Sequence, residues 1–208
     1  MTKVISFISR KGGTGKTTNA INLCTMLHSL GHAVALIETD TNYTLNTLRQ
    51  MELFKTGAND KQLFPILPSE DDLVPKELKK LSKSKLDYVI VDSAGKTTDA
   101  GIKEICLVSD LIIVPTSLTQ NDLLVTFQTI QDLKPAQDLN KKLVISVLPS
   151  RINSLTKSKT VNAALSELDA TVINSFVPAR NSFAQSSTIL PEKDYLNVTK
   201  EVLSILNA

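Results

Sequence analysis

Apolar positions along the chain fall into two kinds of run. Short, nearly continuous stretches of valine, isoleucine and leucine occupy residues 3–8, 33–37, 88–91, 111–114 and 143–148. Each is too short for a typical helix and apolar almost throughout, which predicts a strand buried on both faces. Between them the spacing changes to three and four. Over residues 18–30, Ala20, Ile21, Leu23, Cys24 and Leu27 share one helical face, and Gly31 supplies a stop. The same period returns over 122–133, near 159–168 and over 195–206, around a short strand near 171–176. Residues 41–85 are less regular, punctuated by Pro65, Pro68 and Pro75 and closed by a lysine-rich segment from 75 to 85. Strands alternating with helices predict an α/β fold: a mostly parallel twisted sheet with helices on both faces. No repeat, low-complexity tract or boundary divides the chain, so residues 1–208 are expected to form a single domain.

Composition narrows the function classes. A chain of 208 residues is long enough for one sizeable core. Its net charge of +2 announces no nucleic-acid binder, so any such surface must be a local patch. Aromatic residues are 4% with no tryptophan, which argues against stacking platforms for single-stranded bases. Cys24 and Cys106 lie far apart on apolar runs, without metal-ligand spacing, and read as core thiols of a reducing compartment. Met1 and Thr2 lead straight into a strand, and no apolar run approaches a membrane span; a cytoplasmic protein without a membrane anchor is expected.

The chemistry concentrates between the first strand and the first helix, where residues 10–18 read Arg-Lys-Gly-Gly-Thr-Gly-Lys-Thr-Thr. A glycine-rich turn there aims backbone N–H groups at one point, and the helix N-terminus adds partial positive charge. Lys16 supplies a cation for β- and γ-phosphates, and Thr17 a hydroxyl for Mg²⁺. The strict phosphate-loop pattern has glycine where this chain has Arg10, and a second lysine, Lys11, precedes the paired glycines. The stretch from Lys11 to Thr18 resembles the deviant Walker A motif of the ParA/MinD superfamily of P-loop NTPases. A first strand beginning at residue 3 leaves no room for an N-terminal helix-turn-helix, so the chain is most similar to the small plasmid-partition ParA proteins. The resemblance implies ATP and Mg²⁺ as cofactors, with Gly12, Gly13, Thr14, Gly15, Lys16, Thr17 and Thr18 around the phosphates. It also implies that Lys11 reaches across a homodimer to the partner's nucleotide, as an arginine finger supplied in trans does.

In an open α/β sheet ligands sit beyond the carboxyl ends of the strands, so polar residues just after strands are the ones to read. Glu38-Thr39-Asp40 ends the second strand. Asp40 matches the superfamily's second aspartate, implied to help hold Mg²⁺ and position the attacking water, while Glu38 and Asn42 depart from the pattern and carry no assigned role. Tyr88-Val-Ile-Val-Asp92 resembles the Walker B arrangement, which implies Asp92 as a further Mg²⁺ ligand; Gly95, three residues on, is placed to sense a γ-phosphate. Residues 109–116 resemble a superfamily scaffold pattern. By resemblance, base recognition belongs to loops near 149–153 and 177–181, with Arg180 the leading candidate. His28 and His32 flank the end of the first helix and suggest no chemistry, and no other catalytic constellation competes.

The resemblance implies an ATP-dependent switch for DNA partition: a slow ATPase whose ATP-bound dimer binds double-stranded DNA non-specifically, on the nucleoid, and whose hydrolysis is stimulated by a ParB-like or small dimeric centromere-binding adaptor. The candidate DNA patches are Lys76, Lys79, Lys80, Lys83 and Lys85; the pair Lys141 and Lys142; and Arg151 with Lys157 and Lys159. A MinD-like membrane-cycling ATPase would need a basic amphipathic C-terminal helix, whereas residues 197–208 carry one lysine and one glutamate. Other cargo-positioning and conjugation-linked ATPases share these motifs. A metabolic phosphoryl-transfer enzyme would need further convergent substrate groups, and the loops display no clear set.

Overall fold

In the computed structural model, residues 2–42, 44–94 and 99–207 are described. The strands are β1 (Lys3–Phe7), β2 (Val34–Glu38), β3 (Ile66–Pro68), β4 (Tyr88–Asp92), β5 (Leu111–Thr116), β6 (Val144–Ile152), β7 (Thr171–Val172) and β8 (Val177–Pro178). They pair in parallel in the order β3-β2-β4-β1-β5-β6-β7, with β8 alongside the end of β6. The helices are α1 (Lys16–Ser29), α2 (Thr44–Thr56), α3 (Val74–Leu81), α4 (Asp99–Val108), α5 (Gln120–Leu139), α6 (Ser158–Leu165), α7 (Asn181–Ala184) and α8 (Leu196–Leu206).

Successive strand residues point to opposite faces, so each apolar strand feeds two cores. Ile5 and Phe7 join one cluster with Leu23 and Leu27 of α1, Leu45 of α2 and Val198 and Val202 of α8. Val4 and Ile8 join the other, with Val74 of α3, Ile105 of α4, Leu133 of α5 and Leu165 of α6. The two-sided burial expected of continuous Val/Ile/Leu strands is met by these two helical layers. Among the described residues, no helix is long and apolar enough to cross a membrane.

Three regions differ from the sequence expectation. The irregular stretch 41–85 holds α2, β3 and α3. In α2 the buried positions are Leu45 and Arg49 while Met51 and Phe54 are exposed, so the element lacks the apolar stripe by which a helix is read. Helix α4 precedes β5 and contains the apolar run around Cys106. Helix α5 runs past Leu133 through Pro135 to Leu139. Both Pro135 and Gln131 are exposed, so water can serve the carbonyl that the proline leaves without a donor.

Chain order reverses at β1: β2, β3 and β4 lie to one side, and β5 through β7 to the other. The crevice at the carboxyl ends of β4, β1 and β5 is where such sheets bind ligands. The glycine-rich loop leaves β1 into that crevice.

Candidate nucleotide site

Between β1 and α1 the chain turns through Gly13 (φ 73°) and Gly15 (φ 100°), both in the left-handed region that side chains disfavour. Gly15 is the N-cap of α1, and a Cβ there would lie 3.2 Å from the Asn19 side-chain nitrogen. That nitrogen donates to the Gly15 carbonyl at 2.7 Å and to Ser150 Oγ at 3.1 Å, fastening the loop to the end of β6. No acidic residue occupies the first turn of α1, so its N–H groups and dipole are free to face an anion. Gly12, Thr14 and Thr18 lie in this same loop and first turn.

Lys16 and Asp92 meet below the loop. Lys16 is only 6% exposed; burial lowers its proton affinity, against the raising influence of Asp92, Asp40 and Asp71. Asp92 ends β4 and is 2% exposed. Burial pushes its carboxyl up to about 7, although a hydrogen bond from Thr17 and the Lys16 charge pull it down; Glu38 and Asp40 add repulsion. Its Oδ1 is buried without a hydrogen-bond partner. An orphaned carboxylate oxygen beside a threonine hydroxyl fits Mg²⁺, which takes one or two protein oxygens and leaves its remaining positions to phosphate and water. Among the described residues no group of three or more His, Cys, Asp or Glu could hold a metal unaided.

Asp40 follows β2 and is half-buried. Its Oδ1 accepts from the Asn42 N–H at 3.0 Å, so it caps the following turn while lining a cleft of ≈ 1030 Å³ with Lys11, Gly12, Asp71 and Ala94. Glu38, which the sequence left without a role, anchors α2: its Oε1 accepts from the Leu45 N–H at 3.1 Å and Thr44 Oγ1 at 3.3 Å. Sequence reasoning missed Asp71. Thr39 Oγ1 donates to Asp71 Oδ1 at 2.5 Å and accepts from the Ala94 N–H at 2.8 Å, tying the ends of β2 and β4 to the turn after β3. Its signal was weak, a carboxylate in a proline-punctuated segment. Gly95 lies outside the described residues.

Lys11 is engaged rather than solvated. Its Nζ donates to Asp122 Oδ1 at 2.6 Å, while Asp122 Oδ2 accepts from Arg151 at 2.8 Å and from Ser117 Oγ at 2.5 Å. The Asp122 side chain is 4% exposed. Burial alone would raise its carboxyl, but the Lys11 and Ser117 hydrogen bonds and the Lys11 and Arg151 charges hold it below the ordinary value.

On the other side of the loop a cleft of ≈ 520 Å³ runs from Gly13, Lys16 and Thr17 to Arg151, Arg180 and Phe183. The loops around 149–153 and 177–181 thus converge beside α1 because β8 pairs with the end of β6. Arg180 is exposed at its rim and paired with Asp194. Phe183, buried and unmarked in the sequence, forms part of the apolar wall.

A family model described as VirC1 protein matches residues 2–206. A VirC1 protein of Rhizobium rhizogenes is 28% identical over 202 residues, covering 95% of this chain and 84% of that protein. A plasmid partition protein of Borrelia burgdorferi has the same fold, with a TM-score of 0.70 at 22% identity and 98% of each chain covered. MinD of Aquifex aeolicus superposes with a TM-score of 0.71 at 20% identity over 97% of each chain. A glycine-rich loop opening α1, a lysine ahead of its paired glycines and a carboxylate ending the adjacent strand are thus carried on a fold shared with these proteins, and the chain belongs to the VirC1 protein family.

Proposed function

We propose that the protein is an ATP-dependent switch acting in DNA partition, dimerising around ATP and releasing its partners on hydrolysis. The observation that carries this reading is the meeting of Lys16, Thr17 and the orphaned Asp92 oxygen at the N-terminus of α1. The loop backbone of Gly12, Gly13, Thr14, Gly15 and Thr18 cradles the phosphates, and Lys16 binds β- and γ-phosphate oxygens. Thr17, Asp92 and Asp40 are the residues to hold Mg²⁺, which when bound offsets the charge of the transferring phosphoryl group. Asp40 also orients the attacking water, and Lys11 supplies a positive charge to the partner's nucleotide. Gly95 senses the γ-phosphate, whose loss removes contacts made only in the ATP state. The cleft between the ends of β6 and β8 takes the base, with Arg180 at its rim.

Hydrolysis is slow until a centromere-binding adaptor engages, because a timer that fires unprompted stores no state. Among the candidate basic patches, Arg151 near the end of β6 and Lys157 and Lys159 just after it share the nucleotide edge of the sheet. Lys83, Lys85, Lys141 and Lys142 precede β4 and β6, at the opposite edge. A DNA surface gated by nucleotide belongs on the first of these. The apolar side of α8 is packed into the core through Val198 and Val202, which speaks against its use as a membrane anchor.

The test is sedimentation with Mg-ATP, Mg-ADP or no nucleotide, alongside phosphate release with and without DNA. A dimer confined to ATP, with slow turnover, is the expected result. A single association state under all conditions would overturn the switch.

A further inference from the structure

Lys11 must leave Asp122 to reach a partner's nucleotide, and the cost of that departure depends on what remains. A carboxylate that is 4% exposed cannot be left alone without a large desolvation penalty. Here it is not left alone. Arg151 holds the second oxygen, Oδ2, at 2.8 Å while Lys11 holds Oδ1 at 2.6 Å. Two cations therefore share one anion and repel each other, so either one weakens the other's hold.

Arg151 is built into this position at a conformational cost. Among the described residues it is the non-glycine residue with a positive φ, 57°, a region sparsely populated by residues carrying a Cβ. It sits at the register shift between Ser150 and Ile152 where β6 pairs with β8. A bulge there re-aims a single side chain. It sends the guanidinium to Asp122 although residue 151 also lines the nucleotide cleft.

We propose that Arg151 is a positioning residue for the trans lysine: it keeps Asp122 neutralised when Lys11 departs, and so makes Lys11 releasable for the partner's nucleotide. The inference rests on the trans-lysine reading above. Without Arg151, Lys11 is the sole cation on a buried carboxylate and is held in its own subunit. Without the Asp122 charge, neither cation is held, and Arg151 no longer matters to Lys11.

The first readout needs no dimer. Nucleotide-free protein is labelled with an acetylating N-hydroxysuccinimide ester, and the Lys11 rate is followed by mass spectrometry. Lys11 should label at least threefold more slowly in Arg151→Ala than in wild type, faster than wild type in Asp122→Asn, and within twofold of wild type in Arg151→Lys. The second readout is ATP-driven dimerisation. It should weaken about tenfold or more in Arg151→Ala and recover in Arg151→Ala/Asp122→Asn, a rescue that loss of a nucleotide contact by Arg151 would not show. Equal or faster Lys11 labelling in Arg151→Ala, with the wild-type dimer intact, overturns the inference alone. The predicted labelling order with no ATP-driven dimer even in wild type overturns the trans-lysine reading and Arg151's function with it.

Discussion

Two lysines five positions apart are assigned different jobs, and their surroundings support the division. Lys16 is buried between the loop and three carboxylates, where a phosphate would complete its partners. Lys11 points away, to Asp122 at the start of α5. Lys16→Ala should therefore weaken nucleotide binding roughly 10- to 100-fold, the worth of one or two charge-assisted hydrogen bonds. Lys11→Ala should leave monomer affinity nearly intact and abolish ATP-driven dimerisation and turnover; fluorescent-nucleotide titration separates the two. Asp92 makes a prediction in pH. Its carboxyl is raised from 3.8 to about 7, chiefly by burial, so the folded protein binds a proton that the unfolded chain releases near pH 4. Stability of the nucleotide- and metal-free protein should fall as pH rises from about 4 to 7, by at most about 1.4 kcal/mol per pH unit from this group. Asp92→Asn should flatten that slope in thermal melts and remove the dependence of nucleotide affinity on Mg²⁺.

Arg49 pins α2 at the level of elements. It is 4% exposed, and donates to the carbonyls of Thr188 and Phe64, to Thr188 Oγ1 and to Asp60. Arg49→Met would strand two carbonyls and should cost about 2–3 kcal/mol, seen as a melting temperature lower by roughly 5–10 °C. Such a residue also explains what the sequence hid. The central strands and α1 were legible because their apolar positions keep one period. Helix α2 was not, since its inward face carries an arginine held by Thr188, 139 residues away, and by Asp60 and Phe64 beyond the helix. The residues proposed to hold the phosphates stand out as one motif because they are contiguous. Asp71 and Asp122 were not, nor was the contact of Arg151 with Asp122, because the turn after β3, the start of α5 and the end of β6 become neighbours of the loop only when the sheet assembles. Glu38 illustrates the converse: a departure from the superfamily pattern within a motif position, put to use as the anchor of α2.

For the whole molecule, the parallel sheet brings the glycine-rich loop, the Asp40 turn and the basic residues after β6 to one edge, so a nucleotide-dependent dimer would change the surface that carries those residues. Charge reversal at Lys157 and Lys159 should weaken DNA binding and flatten its salt dependence while leaving ATP affinity alone. The same change at Lys141 and Lys142, on the far edge, should do neither; filter binding at several salt concentrations distinguishes them. The proposed switch exists only if nucleotide state controls contact with DNA. The most direct measurement is binding of the protein to random-sequence duplex DNA with ATP, ADP or no nucleotide, at two salt concentrations. A partition switch requires salt-sensitive binding with ATP alone. Binding of equal strength in all three states, or none in any while the ATP dimer forms, would contradict it.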